Sequence, residues 1–400
     1  MKACGLIVEY NPFHNGHQYH VDEAKKTTNA DCMIAVMSGT FLQRGEPAII
    51  DKFHRTKAAL ASGVDIVVEL PYVYAVQSSH YFAKGALLTL DALQTDMICF
   101  GSESGEIKPF YDGVSRLHKH RAEYDQTVQS FLQKGLSYPS ASSKAYQEIG
   151  MEHLDLFQPN NILGFSYVKT IVENNLSIQA TTIQRKSSHF HDENIEDTIA
   201  SATSIRKELA LEEFSQKVAS AIPEKSITQI KQYKEKATLW HDWEHYYPLL
   251  HYRLTTMSRE ELALIHGVDE GIEGRLLNAI HTAKSFQELI DRVKTKRYTQ
   301  VRLQRMFVHI LTNTTKKQIN DFYNLPSLPY VRLLGMTKQG RAYLHQTKKS
   351  RTIPVVTNLN SEQDSLYLDE RALNVYYSVL PVERRLQLRN QEFKLPIILT

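Results

Sequence analysis

Cysteine is scarce in this sequence, charge is nearly balanced and no apolar run is long, and each shortage removes a class of protein. Only Cys4, Cys32 and Cys99 occur in 400 residues. They make no even framework, all sit in apolar, strand-like runs, and they read as buried thiols of a reducing cytosol. The 47 basic residues exceed the 44 acidic ones by only +3. That is too little to announce nucleic-acid binding from overall charge, so any basic surface must be local. The first apolar run is interrupted by Glu9 and Pro12, and no later run is long enough to span a bilayer. Internal repeats and low-complexity segments are also missing. What remains is a globular composition, 42% hydrophobic and 23% charged, ample for two or three domains. It is expected in the cytoplasm, without a membrane partner.

The most informative stretch runs from Gly5 to His17. Ala3 to Val8 is a short β-rich run, and Asn11-Pro12 ends it, because proline removes a backbone donor and turns its neighbour away from helix. His14 to Thr27 then carries helix-forming Ala, Glu and Lys. His14 and His17 are expected on its first turn, facing the same way. Free N–H groups and the helix dipole favour an anion there, and Gly16, lacking Cβ, lets a flat or phosphorylated ligand approach. The spacing alone leaves two other readings open. His14, His17 and His20 at steps of three could ligate a metal, although no cysteine or carboxylate stands at ligand spacing, or they could be surface histidines.

Cys32 to Met37, Asp65 to Leu70 and Met97 to Gly101 repeat the strand pattern, with helical stretches at Phe53 to Ser62 and Ser79 to Leu93 between them. Alternating strand and helix predict an α/β, Rossmann-like parallel sheet with helices on both faces. Ligands bind such sheets outside the carboxyl ends of the strands. The turns at His14/His17, Ser38-Gly39 and Gly101-Ser102 should therefore meet on one crevice. Arg44, Lys52 and Arg55 follow the second strand and could meet a triphosphate or an RNA end, or lie in a solvated loop. Asn160 and Asn161 open a later helix, either capping it or offering an amide to a nucleobase. Leu176 to Ile183 reads as another strand, with Gln184-Arg-Lys-Ser-Ser-His189 at its carboxyl end, which aims Arg185 at the crevice.

A second pattern is Ile199-Ala-Ser-Ala-Thr-Ser-Ile-Arg206. Ser201, Thr203 and Ser204 precede a helix expected near Ile205, and hydroxyls at a helix start make either a cap or a phosphate cradle that Arg206 can close. From Glu224 to Lys316 the chain is rich in helix formers. Lys294, Lys296, Arg297, Arg302 and Arg305 cluster there around Tyr298, as an RNA-contacting face or a solvated one. The tail has strand-like runs at Ile353 to Val356 and Leu395 to Leu399.

Gly5 to His17 resembles the His-x-Gly-His signature of the nucleotidyltransferase superfamily, and Ser201 to Arg206 resembles its second, Ser-x-Thr-x-Ile-Arg signature, in the family's order. Asn11 stands where many members have Asp. Across the chain the sequence is similar to the bacterial tRNA(Met) cytidine acetate ligase family. That resemblance implies residues 1–225 as an ATP-binding catalytic domain, 226–326 as a helical tRNA-binding domain, and 327–400 as a small mixed α/β region. It implies His14 and His17 as catalytic contacts to the ATP phosphates. The rest of the implied ATP site is Ile7, Val8, Glu9, Tyr10, Asn11, Pro12, Phe13, Asn15, Gly16 and His20, with Gly101, Asn160, Asn161, Arg185, Ser201, Ser204 and Arg206. Lys294, Arg297, Arg302 and Arg305 would contact tRNA. ATP would activate acetate as acetyl-adenylate, and the acetyl group would pass to N4 of the wobble cytidine of elongator tRNA(Met). No metal site is expected from the residues, although Mg2+ could accompany ATP, and the oligomeric state is left open. The competing functions are a small-molecule adenylyltransferase, disfavoured by the long basic helical half, and a tRNA-binding protein with a vestigial crevice, disfavoured by two intact signatures.

Overall fold

The computed structural model describes residues 1–185, 200–211, 214–269, 271–359 and 364–400. Of the expected stretch at 184–189, Lys186 to His189 lie outside the described residues.

The centre is one sheet built from β1 (Ala3–Val8), β2 (Cys32–Ser38), β3 (Ile66–Leu70), β4 (Met97–Ser102), β5 (Gln179–Gln184), β6 (Val331–Thr337), β7 (Val355–Val356) and β8 (Ile397–Leu399). Its order is β5-β4-β1-β2-β3-β6-β7, with β8 also paired to β6. The first five strands pair in parallel. Every residue of β2 is buried, because helices cover both faces. Met33, Ala35 and Met37 join the apolar layer of Val21, Ala24 and Phe53, from the helices Asn15–Thr28 and Lys52–Ala61. Ile34 and Val36 point the other way, into the layer of Ala86, Leu90 and Phe165. A strand buried on both faces reads as a continuous apolar run, which is why these strands were recognisable.

The strand-like runs of the tail appear as β7 and β8. The region 327–400 does not stand beside the sheet; it extends it. β6, whose apolar run had not been read as a strand, pairs antiparallel with β3 and carries β7 and β8 in parallel. The sheet is thus mostly rather than wholly parallel. A buried ionic cluster fixes the junction: Lys52 Nζ lies 2.8 Å from Glu69 and 3.0 Å from Glu392, and Arg332 lies 2.6 Å from Glu392.

The segment from Glu224 to Lys316 is helical as expected. Its core includes Trp243 stacked on Phe286 with ring centroids 4.5 Å apart. It docks on the loop that follows β2, where Trp243 Nε1–H donates to the Gly45 carbonyl at 3.0 Å. Gly45 has φ +78, and a Cβ there would fall on the backbone of Arg305. Only glycine meets both demands without displacing the helix. No helix among the described residues is long and apolar enough to cross a membrane.

Candidate active site

β1 sits between β4 and β2, so the carboxyl ends of these three strands meet, and the turn after β1 carries the paired histidines. Tyr10 takes a left-handed φ of 49 and the Asn11–Pro12 bond is cis. The Asn11 side chain accepts the Ile49 N–H at 2.7 Å, tying this turn to the loop after β2. His14 is the N-cap of the helix Asn15–Thr28 rather than a residue of its first turn, and His17 is its third residue. The Nδ1 atom of His14 accepts the Gly16 N–H at 3.1 Å, and Nδ1 of His17 accepts the His14 N–H at 3.3 Å. This is a capping box made by two imidazoles. The backbone N–H groups expected to receive an anion are thus partly used by the histidines themselves.

That geometry fixes the chemistry of both rings. A nitrogen that accepts a hydrogen bond carries no proton, so each neutral imidazole is protonated at Nε2 and donates from there. The rings lie 3.8 Å apart between centroids, with Tyr10 and Phe13 against His17 at 4.9 and 5.7 Å. Burial, then Arg185 and Arg206, pushes His14 down to about 3. Burial and the neighbouring His14, His20 and Arg185 hold His17 well below the usual histidine range, against an opposing contact with the Pro12 carbonyl. His20 is held down to about 4 by burial, against the opposing Cys99 carbonyl, which it meets at 3.1 Å. At neutral pH the pair is therefore two uncharged donors beside cations, suited to equatorial phosphate oxygens.

The second signature reaches the first. The helix Ala202–Leu211 begins three residues before Ile205. Arg206 Nη1 donates to the Asn11 carbonyl at 3.0 Å, and Nη2 pairs with Glu46 at 3.1 Å. Ser201 Oγ accepts the Ser204 N–H at 3.0 Å, and Ser204 Oγ donates to the Ser201 carbonyl at 2.9 Å. The two serines thus close the helix end on itself, and Arg206 is the group that faces the turn.

On the other side of β1, a Cβ at Gly101 would meet the Arg185 side chain at 2.9 Å. Arg185 Nη1 lies 3.4 Å from Asn160 Oδ1, and Asn160 Nδ2 donates to Glu103 at 3.0 Å. Neither asparagine caps its helix, whose N-cap is Gln158. Asn161 is buried and donates to the Asp155 carbonyl at 3.1 Å, so it shapes the turn, while Asn160 stands at the opening. Ile7 and Val8 lie on β1 and Asn15 donates to the Ser220 carbonyl at 2.8 Å.

Lys52 and Arg55 do not reach the crevice. Arg55 is fully buried and donates to the carbonyls of Ile50, Glu9, Ser38 and Gly39, holding the loop after β2 from below. Sequence alone gave no sign that these cations faced inward. Gln43 was also missed: its N–H donates to Glu9 at 2.7 Å.

The expected RNA face divides. Lys294 and Arg297 are exposed. Arg302 stacks on the Tyr298 ring at 4.0 Å. A cavity of about 230 Å³ beside them is lined by Arg275, Arg297 and Tyr298 among others. Arg305 leaves this face: its Nε–H donates to the Gln43 carbonyl at 2.6 Å, on the crevice side. Burial and Arg44 push it down to about 10, with Glu9 opposing. Helical spacing made Arg302 and Arg305 neighbours, but Arg305 is drawn away by the loop of Gln43 and Gly45 that packs against its helix.

Comparison with known proteins is consistent with this layout. The family described as HIGH nucleotidyl transferase matches residues 1–392. A tRNA(Met) cytidine acetate ligase from Oceanobacillus iheyensis is 50% identical over 403 residues, covering 100% of both chains. Two crystal structures of TmcAL from Thermotoga maritima, each 32% identical and covering 100% of both chains, superimpose with TM-scores of 0.92 for the apo form and 0.91 for the form bound with alpha-thio ATP.

Proposed function

The chain belongs to the HIGH nucleotidyl transferase family, and from that premise we propose how its residues share the work. It is an ATP-consuming, tRNA-modifying ligase of the tRNA(Met) cytidine acetate ligase type. Acetate attacks the α-phosphorus of ATP, pyrophosphate leaves, and the acetyl group of the resulting acetyl-adenylate passes to N4 of the wobble cytidine in elongator tRNA(Met). The first step needs no protein nucleophile, only positioning and stabilisation of charge on the phosphate oxygens. The observation that carries this reading is the capping pair of imidazoles, 3.8 Å apart, each accepting a backbone N–H at Nδ1.

In this scheme Arg206 and Arg185 take the outer phosphates from opposite sides. Arg206 would exchange its contact with Glu46 for a charge-assisted one to phosphate. Asn160 lies where the nucleobase would enter. No group of three His, Cys, Asp or Glu among the described residues could hold a metal, so Mg2+, where it takes part, would arrive on the triphosphate. Lys294, Arg297 and Arg302 receive the RNA backbone, and the cavity beside Tyr298 suits an unstacked base of an anticodon loop. Such a tRNA substrate puts the enzyme in the cytoplasm.

One assay tests the whole reading: ATP, labelled acetate and tRNA, with pyrophosphate and RNA-bound acetyl both followed. Pyrophosphate without acetylated RNA would favour a small-molecule adenylyltransferase. RNA binding with neither product would leave only a binding protein.

A further inference from the structure

We propose that Glu9 is the general base of acetyl transfer and that Arg305, from the helical half, positions it. The inference rests on the reading of a cytidine amine attacking acetyl-adenylate. In that step the N4 lone pair forms a bond to the acetyl carbon, the acyl C–O bond to phosphate breaks, and AMP leaves with the electron pair. One N4 proton must go elsewhere. The phosphate-side groups cannot take it: the arginines are donors only, and both imidazoles have Nδ1 occupied and Nε2 protonated.

Glu9 is the carboxylate that can. It follows β1 directly and precedes the histidine turn. Its Oε1 accepts the Gln43 N–H at 2.7 Å and the Ser38 hydroxyl at 3.4 Å, while Oε2 has no donor among the described residues. Oε2 would receive the proton and release it to solvent after AMP departs. The charged and titratable groups around it are Arg44, Glu46 and Arg206, Arg55 from below, Tyr167 and Arg305. Burial outweighs the cations and holds the carboxyl above its usual range, which suits a base working near neutral pH.

Arg305 acts through Gln43. Its Nε–H holds the Gln43 carbonyl at 2.6 Å, and the Gln43 side chain is held by the Gln77 carbonyl at 2.7 Å. The amide that aims Glu9 is thus fixed from the half of the molecule that would carry the RNA. A tRNA settling on those helices would press on the element that orients the base.

The test loads enzyme with ATP and acetate, removes pyrophosphate enzymatically, adds tRNA, and follows RNA-bound acetyl in one turnover across roughly pH 5 to 9. Wild-type transfer is expected to rise with pH and level off. Glu9→Gln should lower transfer on the order of a hundredfold or more, with a fall in pyrophosphate release roughly tenfold smaller or less, and it should lose the rising limb. Glu9→Asp should keep the limb at a reduced rate. Arg305→Gln should move the limb to higher pH, because a nearby positive charge favours the carboxylate, and Arg305→Lys should move it less. The proposal is overturned if Glu9→Gln keeps the limb, if it loses both half-reactions equally, or if Arg305→Gln slows transfer at every pH without moving the limb. A wild-type enzyme that acetylates no tRNA would instead refute the function proposed above.

Discussion

In the proposed scheme His14 does two jobs with two atoms, and a pair of substitutions separates them. Nδ1 caps the helix Asn15–Thr28 by accepting the Gly16 N–H at 3.1 Å, and Nε2 is left to donate to phosphate. The Oδ1 of asparagine occupies the position of Nδ1 on the same carbon, so His14→Asn should keep the cap and lose the distant donor. His14→Ala loses both. A cap of this kind is worth about 0.5–2 kcal/mol, while losing one preorganised donor to a developing oxyanion costs about 10²–10³ in rate. Both variants should therefore release pyrophosphate from ATP and acetate slower by that factor. Only the alanine variant should melt at a lower temperature, by about 1–2 °C in a chain of this length. The assay is initial-rate pyrophosphate release beside thermal unfolding, at a pH near 7.5 where burial keeps the native ring neutral. An asparagine variant within about tenfold of wild type would mean that the ring serves the fold and not the phosphate.

Three further outcomes are expected. Lys294→Ala with Arg297→Ala, both exposed, should weaken tRNA binding and flatten its salt dependence by roughly one unit of slope per lost phosphate contact, and an unchanged slope would remove them from the RNA surface. Lys52→Met leaves Glu69 and Glu392 buried with Arg332 in place of two shared cations, which should cost about 3–5 kcal/mol in chemical denaturation; a loss well under 1 kcal/mol would make Lys52 dispensable to the cluster. Stability should fall on acidification from pH near 7.5 towards 5: His14, His20 and His241 are held near 3, 4 and 3 when folded but titrate near 6.5 when unfolded. Over that window the unfolded chain binds protons that the folded one refuses. Asp369, pushed up to about 6, and the carboxyls of Glu9 and Glu392, which burial also raises, oppose them, so a melting temperature that rises on acidification would contradict this balance.

The elements buried on both sides were legible in the sequence, because β1 to β4 are short apolar runs closed by turn residues and alternate with helices. The helix starts at His14 and Ser201 were legible for a related reason: each joins a strand or loop to a helix, where local residues decide the geometry. Long-range contacts were hidden. The inward turn of Arg55 depends on four carbonyls gathered from separate segments. The diversion of Arg305 depends on Gly45, some 260 residues earlier, and helical periodicity carries no trace of it. β6 was overlooked because Val331 to Thr337 follows a long helical stretch, and its partner β3 lies far back in the chain.

The distance from β3 to β6 has a consequence during synthesis. By the time the ribosome has made about two hundred and ten residues, both signatures exist, yet the edge of β3 is bare and Lys52 lacks one of its two carboxylates. An exposed strand edge invites pairing with other chains. The nascent protein must wait about a hundred and twenty residues for β6 and about sixty more for Glu392, a pause of roughly ten to forty seconds at ordinary elongation rates of about 5–20 residues per second. The seam between β3 and β6 is therefore the place where a holding chaperone would be needed most.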